Sequence, residues 1–528
     1  MTISGVSGRT SYIGTGILNL RSQLDTLTQQ LASGKISTTY AGQGDGRSLA
    51  VGLRAQIAGL ASYADTATNV NTRLDVMNLS LTRLTKINSE VKGAAVAAGN
   101  TLDNTGQTAG QKTASLDFLD SVDMLNAQSG DRYLFSGRAT DTSPVTPADV
   151  IMNGNGAGVA GLKQVIADRL TADLGTVIPG QPATGRISSA VGVAPTAVTL
   201  TEQDTTPAPP LTANPFGIKL TAVATSLTNT GATVTQPVVL PTTIPPALPA
   251  APAQRTMSVD LGTSVPQDGD TIKFTFKMPD GTSEDIVMTA SATTPLAANS
   301  FLIGANNTAT AASLNTELTK SIQNLANGPM AAASAIQAGN EFFGEPPQRI
   351  ATAPLDTATT MVAGTKADTV FWYNGEADSA TDPARGTAVA RVDEAITVQY
   401  GARADEQALR VQLQAVAVFA AVSTKVTDFN ASGKIAALSQ RVAQNLAIIP
   451  GTQTIQDIQA DVAGAQASIK ATADRQVQTK TISQTMLDSI EGINNDEVAT
   501  KILALQTALQ ASYQTTSDLY KMSLVKFL

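Results

Sequence analysis

The chain has 528 residues, of which 43 are acidic and 35 are basic, giving a formal net charge of −8. This length is too great for one typical hydrophobic core and predicts about two to four domains. The acidic balance, without any basic stripe, argues against a nucleic-acid partner. Cysteine and histidine are both absent from the sequence, which excludes disulfides, thiolate nucleophiles, imidazole bases and the common zinc sites.

The N-terminal segment predicts a long amphipathic helix. Its apolar residues follow the 4–3 spacing typical of a coiled-coil seam. These residues are Ile13, Ile17, Leu20, Leu24, Leu27 and Leu31. Ser33-Gly34 predicts the end of this helix, and residues 40–48, "YAGQGDGRS", predict a glycine-rich corner.

A second helix is predicted from about Ser48 into the nineties, and a third over about 108–128. At ~1.5 Å per residue the second helix would be roughly 70 Å long. A helix of that length with one narrow apolar stripe needs partner helices to be stable. The predicted stripe of the second helix is Leu53, Ile57, Leu60, Ala64, Ala67, Leu74, Met77, Leu81, Leu84 and Val91, and that of the third is Leu116, Leu119, Val122 and Leu125.

Residues 129–137, "SGDRYLFSG", interrupt the helical pattern. Tyr133 and Phe135 alternate with Leu134, which favours a short strand. From about 141 to 255 the chain is rich in Pro, Thr and Ala, and stretches such as 206–215 and 243–254 predict extended connections and short edge strands instead of helices.

Residues 270–290 carry the clearest hairpin signal in the chain. Apolar residues alternate with polar ones on both sides of a Pro279-Asp280-Gly281 turn. A helix with Leu314, Leu318, Ile322 and Leu325 on one face follows, so residues 256–345 predict a small β-α module. Strand patterning continues at 369–378, which includes Trp372, and at 390–401.

Helix is predicted for the rest of the chain. Leu409, Leu413, Val416 and Ala420 form a 4–3–4 stripe, and 458–490 is a helix rich in Ala and Gln. The last helix opens with a capping box from Asn494 to Glu497. Its seam is Val498, Ile502, Leu505 and Leu509, continued by Thr516 and Leu519.

These patterns together predict an α+β fold. Long antiparallel terminal helices would form a coiled-coil bundle, because neither end can bury its own stripe. The expected division is an N-terminal helical half (1–145), a β-rich insert (146–389) and a C-terminal half that pairs with the first (390–528). Tyr133, Phe135 and Trp372 are expected at the neck of the insert, on strands that pair where the chain enters and leaves it.

Candidate chemical sites are weak. Residues 42–48 lack the preceding strand, glycine spacing and Lys of a phosphate loop. Residues 279–285 lack the ligand alternation of an EF-hand and predict a solvated turn. Trp372 is best interpreted as strand packing, and adjacent Asp405 and Glu406 do not face each other as an acid-base pair would. We therefore expect no catalytic, cofactor-binding or metal site, and no enzyme activity.

The sequence gives no signal for membrane association. The first twenty residues lack the basic region and apolar run of a cleavable signal peptide. The most apolar stretch, 413–423, is much shorter than the ~20 residues that span a bilayer.

Several stretches resemble the bacterial flagellin family. Residues 17–60 are similar to its first helix, Ser-Gly-Lys stop, loop and second helix, and residues 496–528 to its C-terminal helix. Residues 130–145, "GDRYLFSGRATDTSPV", and 398–410, "VQYGARADEQALR", resemble the hook-filament junction (hook-associated) proteins of this family. The resemblance covers roughly 1–145 and 390–528.

This resemblance implies a structural subunit of the flagellum, located outside the cell. Such subunits are exported by a type III apparatus without a cleaved signal peptide, with the help of an export chaperone. They self-associate into a ring or filament through their terminal helices and contact other axial proteins. Two alternatives stay open: a filament flagellin, and an adhesin or enzyme carried in the insert.

Overall fold

A computed structural model describes residues 4–97, 101–156, 158–203, 214–228, 231–237, 255–351, 353–377 and 383–525. Helix and sheet are mixed, with a long helix at the C-terminal end, as an α+β fold requires. In chain order the helices are α1 (Ser4–Ser33), α2 (Arg47–Ala97), α3 (Ala109–Leu125), α4 (Ala148–Asn153), α5 (Leu162–Leu174), α6 (Asn307–Leu325), α7 (Ala331–Phe342), α8 (Gln407–Ala421), α9 (Ala431–Asn445), α10 (Ile455–Glu491) and α11 (Asn495–Val525).

The described strands are short. They are β1 (Gln128–Ser129), β2 (Arg132–Tyr133), β3 (Ile187–Val191), β4 (Ala197–Glu202), β5 (Lys219–Thr225), β6 (Thr233–Thr235), β7 (Thr256–Asp260), β8 (Thr271–Lys277), β9 (Ser283–Ser291), β10 (Ser300–Leu302), β11 (Gln348–Ile350), β12 (Met361–Ala363), β13 (Val389–Arg391) and β14 (Thr397–Gln399).

The chain divides into two compact units. The first unit comprises Met1–Thr72, Val389–Val398 and Gly464–Leu528, and the second comprises Arg73–Ala388 and Gln399–Ala463. Two of these divisions fall inside α2 and α10, and another, at 388/389, lies next to the boundary at 389/390 that the sequence predicts. None of them lies near the predicted boundary at 145/146. Those boundaries remain a prediction.

The first unit contains α1, α11, the first half of α2 and most of α10. The helix predicted at the N-terminus ends as expected at Ser33, where Gly34 takes the left-handed φ of 66°. A small core joins α2 to the end of α10 through Ala50, Leu53 and Leu487. The β13–β14 hairpin, confirmed at the predicted 390–401, is fastened to α10 by Gln476 and by the Arg475–Asp393 ion pair.

In the second unit, helical stripes predicted from the sequence are buried. On the later half of α2, Leu74, Met77, Leu81, Leu84 and Val91 are all buried. The predicted stripe of α8 is buried too, and Gln412 on that helix donates through Nε2 to Leu84 O at 2.7 Å. The two helices therefore share one core.

The predicted stripe of α3 is correct for Val122 and Leu125 and wrong for the other two leucines. Leu116 and Leu119 are exposed, whereas Ala114, Phe118, Val122 and Leu125 are buried. Thr108 and Gln111 form a reciprocal capping box that sets the start of the helix. Helix α3 packs on α8, where Gln111 Nε2 donates to Phe419 O at 3.0 Å, and the buried face of α3 includes the aromatic ring of Phe118.

Two four-stranded sheets and α6 form the large apolar core of the second unit. The strand orders are β3-β4-β7-β6 and β10-β9-β8-β5, antiparallel except for the β10–β9 pair. The hairpin predicted at 270–290 is confirmed as β8 and β9, with Ile272, Phe274 and Phe276 pointing inward. The predicted α6 stripe packs on this core.

Residues 256–345 contain strands β7 to β10 and helices α6 and α7, and the two sheets of this predicted β-α module extend beyond it. Strands β3 to β6, which precede residue 256, complete both sheets and contribute Ile187, Leu200 and Val223 to the same core. Without them, the inner faces of β7 and β8 would lack apolar cover. One π-helical turn with Pro329 joins α6 to α7, since proline cannot donate the backbone hydrogen bond of a regular helix.

The turn of the β8–β9 hairpin is docked, not solvated as predicted. Buried Arg441 of α9 donates through Nε to Asp280 at 2.8 Å and through Nη2 to Glu284 at 3.0 Å. The Asp280 carboxylate is itself buried. Ion pairs at this turn therefore connect the sheet to α9.

Two further predictions for the insert differ from the structure. Helices α4 and α5 form within 141–255, where the composition predicted none. Around 369–378 there are isolated bridges in place of a regular strand, Ala160 to Thr369 and Val145 to Tyr373. The Pro-rich stretches 206–213 and 243–254 lie outside the described residues.

Candidate assembly surface

The terminal helices α1 and α11 pack against each other in the first unit. The end of α1 meets the start of α11 through an antiparallel bridge between Lys35 and Gly492. Ile36 N donates to Glu491 O at 2.8 Å, and Ile493 N donates to Gly34 O at 3.2 Å. Because the end of α1 lies beside the start of α11 and the two helices pack on each other, they run antiparallel.

Local capping fixes where α11 begins. Asn494 Oδ1 accepts from the backbone N–H groups of Asp496 at 3.1 Å and Glu497 at 3.3 Å. These contacts satisfy donors that the first helical turn leaves unpaired. The capping residue predicted from the sequence therefore occupies its expected position.

The predicted seams are only partly covered in this helix pair. On α11, Val498 and Leu509 are buried, while Ile502 and Leu505 are half-buried. On α1 the predicted residues Ile17, Leu20, Leu24 and Leu27 are half-buried, and Leu31 is 42% exposed. In a pair of helices each helix is covered on one side only, so most of these seam residues are not fully buried.

Other large apolar side chains of the pair face solvent. Leu18 of α1 is 68% exposed and Leu503 of α11 is 65% exposed. Three exposed tyrosines, Tyr12, Tyr513 and Tyr520, lie on the same two helices. These exposed side chains and the half-buried seam residues of α1 and α11 are together called the terminal surface below.

One buried carboxylate lies at the corner where the pair begins. Glu491, the last residue of α10, accepts from Arg54 Nη2 at 2.6 Å and from Gln43 Nε2 at 3.0 Å, and Lys35 Nζ lies 3.6 Å away. Burial acts to raise the pKa of Glu491, but the hydrogen bond and charge of Arg54, with the charge of Lys35, lower it below its ordinary value. The group is therefore held ionised.

The neck residues lie in the second unit. Phe135 is buried, and its carbonyl accepts from Ala404 N at 2.8 Å. Next to it, Ser136 O accepts from Glu376 N at 3.0 Å. Trp372 is also buried, and its indole N–H donates to Phe343 O at 3.1 Å while its ring packs on that phenylalanine.

Tyr133 does not pair with the returning strands. In the small β1–β2 hairpin it is opposite Gln128, and its backbone N–H donates to Thr140 O at 2.8 Å. Its pairing is local because the turn at residues 130–131 folds β2 straight back onto β1. Phe135 and Ser136, two and three residues further along the chain, instead make the backbone hydrogen bonds to the returning segments.

The carboxylates considered for chemistry have structural partners. Glu406 occupies the N-cap position of α8, and its carboxylate accepts from Arg403 N at 3.0 Å and from Arg385 Nη2 at 2.6 Å. Asp405 is ion-paired with Arg403. Among the described residues, no group of three or more acidic side chains is arranged to hold a metal ion.

Sequence reasoning missed Glu491 and Arg441, which are two of the buried charges that join distant segments. Glu491 contacts Gln43 and Arg54 across more than four hundred residues of chain. No local motif marks such a contact. The one available signal is a glutamate directly before Gly492, at the end of an otherwise regular helix.

Comparisons with known proteins add no relative. No helix in the described part of the chain is long and apolar enough to cross a membrane. No protein-family model matches the chain, and neither does any curated protein.

Proposed function

We propose that this protein is a structural subunit of the bacterial flagellum, of the hook-filament junction type, which polymerises through its terminal helices. The observation that carries the proposal is the terminal surface. Two paired helices of about thirty residues present a repeated apolar pattern that their own chain covers only in part. A surface of this kind favours association with further helices.

Burial of the terminal surface would supply the free energy of association. Burying one exposed leucine is worth about 2 kcal/mol. The leucines and tyrosines of the terminal surface would together provide on the order of 10 kcal/mol per subunit when neighbouring helices complete a coiled-coil bundle. That amount offsets the conformational and translational entropy lost when a subunit is immobilised.

The resemblance to the flagellin family supports the specific assignment. It rests on both terminal segments and on "RYLFSG" at 132–137, which favours the junction proteins. On this proposal the subunit is exported without a cleaved signal peptide, aided by a chaperone, and acts outside the cell as part of a ring beside other axial proteins. It needs neither enzyme activity nor a nucleic-acid or membrane partner.

Charge substitutions in the two seams test the polymerisation step. Leu20→Asp and Leu509→Asp are expected to block incorporation into flagella, because the first places a charge in the half-covered seam of α1 and the second disrupts the α1–α11 pair that presents the terminal surface. Asn19→Asp adds the same charge beside the seam on an exposed position of α1 and serves as the control. The fluorescence of Trp372, the sole tryptophan, reports that the second unit stays folded. Normal swimming and incorporation of both seam variants would refute the proposal.

The position of a labelled subunit separates the junction protein from a filament flagellin. A single band at the end of the hook, with filament subunits lost to the medium in a deletion strain, supports the junction role. Label along the whole filament supports filament flagellin, the second candidate. Long filaments formed by the purified protein alone would support that candidate as well.

A further inference from the structure

The corner at Glu491 links three separate segments. Its side chain, 4% exposed, contacts Lys35 after α1, Gln43 in the turn Tyr40–Gly46, and Arg54 on α2. Its backbone carbonyl accepts from Ile36. One residue thus joins the segment that leaves α1 to the segment that enters α11.

The apolar seams alone specify the alignment of α1 and α11 weakly. Both seams repeat the same 4–3 spacing with aliphatic residues, so a shift by one repeat places similar side chains opposite each other. No ion pair joins α1 to α11 among the side chains that the structure describes. A polar contact at one end is the usual device that selects one register in such a pair.

We propose that the Glu491 carboxylate is a positioning group that sets the register of α1 against α11 in the unassembled subunit. This inference rests on the proposed function, because a correctly aligned pair is what presents a regular terminal surface to neighbours. Lys35 lies two residues beyond α1 and Glu491 four residues before α11, so fixing them fixes the start of both helices.

The charge of Glu491 is the essential property. Two cations, Arg54 and Lys35, converge on one buried carboxylate. In Glu491→Gln the side chain keeps its size and one carbonyl acceptor, but the cations lose their counter-charge and repel each other. The segment after α1 then separates from the segment before α11, and α1 can shift against α11 by one repeat of the seam.

The chain has no cysteine, so engineered cysteines give a clean distance measurement. Nitroxide labels at Gln29→Cys on α1 and Ala504→Cys on α11, both at exposed positions, report the alignment in the unassembled protein by pulsed electron spin resonance. A single narrow distance is expected in the parent. Glu491→Gln should lose it and show a broad or multiple distribution.

Two controls make the result specific. Glu497→Gln removes the same charge from the exposed first turn of α11 and should keep the single distance. The exchange Glu491→Arg with Arg54→Glu and Lys35→Glu restores opposite charges at both contacts and should recover it. Trp372 fluorescence verifies that the second unit is folded in every variant.

The outcomes separate the inference from the proposed function. A single narrow distance in Glu491→Gln overturns the inference, whatever the protein assembles into. A broadened distance together with loss of incorporation into flagella supports it. A broadened distance with unchanged incorporation overturns the link between register and assembly, and a parent protein that does not assemble at all contradicts the proposed function while the distance result stands.

Discussion

Helix α3 offers a sharp test of the second unit, because two adjacent residues have opposite environments. Phe118 is 1% exposed and Leu119 is 49% exposed. Truncating Phe118 to alanine removes roughly 150 Å² of apolar contact, which at about 25 cal/mol per Å² corresponds to about 4 kcal/mol. Measured Phe→Ala substitutions in cores cost ~3–5 kcal/mol, in agreement with this value. Leu119→Ala should change the free energy of unfolding by no more than about 0.5 kcal/mol.

Urea unfolding followed by Trp372 fluorescence measures both variants. With an m-value of about 3 kcal/mol per M, Phe118→Ala should lower the midpoint by more than about 1 M. Leu119→Ala and Leu116→Ala should leave it close to the parent. A cost above about 2 kcal/mol for either leucine, or below about 1 kcal/mol for Phe118, would mean that α3 buries the other face.

Two further predictions concern buried and half-buried charges. Arg441→Met should destabilise the second unit by about 3–5 kcal/mol, since it leaves the buried Asp280 carboxylate without its cationic partner. Adding Asp280→Asn should recover part of this loss in the same urea assay. If the free-energy changes of the two single variants simply add in the double variant, the pairing is contradicted. In the first unit, the backbone N–H of Glu394 and the side chain of Arg475 lower the pKa of Asp393. Ionised Asp393 therefore stabilises the fold above its unfolded pKa of about 3.9, and this contribution is lost as the pH falls through the lower folded pKa. Asp393→Asn should then flatten the acid side of the stability curve measured by circular dichroism, and an unchanged acid slope would count against it.

Strong periodicity is what made the long helices predictable from the sequence. The stripes of α8 and of the later half of α2 repeat at helical spacing over several turns, and the structure buries them. The hairpin of β8 and β9 was equally predictable because its alternating apolar residues flank a Pro-Asp-Gly turn. In each case the signal is local and redundant.

The orientation of α3 could not be predicted in the same way. Its leucines at 116 and 119 and the ring of Phe118 offer competing apolar faces at acceptable helical spacing. Packing of α3 on α8 selects the face with Phe118. The choice between faces lies in a tertiary contact, and helix periodicity carries no information about it.

The buried ion pairs that join distant segments could not be predicted for a related reason. Arg441 reaches Asp280 across 161 residues, and Arg54 reaches Glu491 across 437 residues. At either position the sequence shows only an ordinary charged residue in a helix or turn. Their importance comes from burial, which makes a lost partner costly.

Burial also distinguishes two helices that look alike in sequence. The stripe of α8, from Leu409 to Ala420, and the seam of α1, from Ile17 to Leu31, follow the same 4–3 rhythm. Every predicted stripe residue of α8 is buried inside the second unit, whereas none of those of α1 is fully buried. A pattern that is buried within its own chain belongs to a core, and the same pattern left partly exposed is typical of a surface that binds a partner. This difference, more than the periodicity, is why we place assembly at the terminal helices.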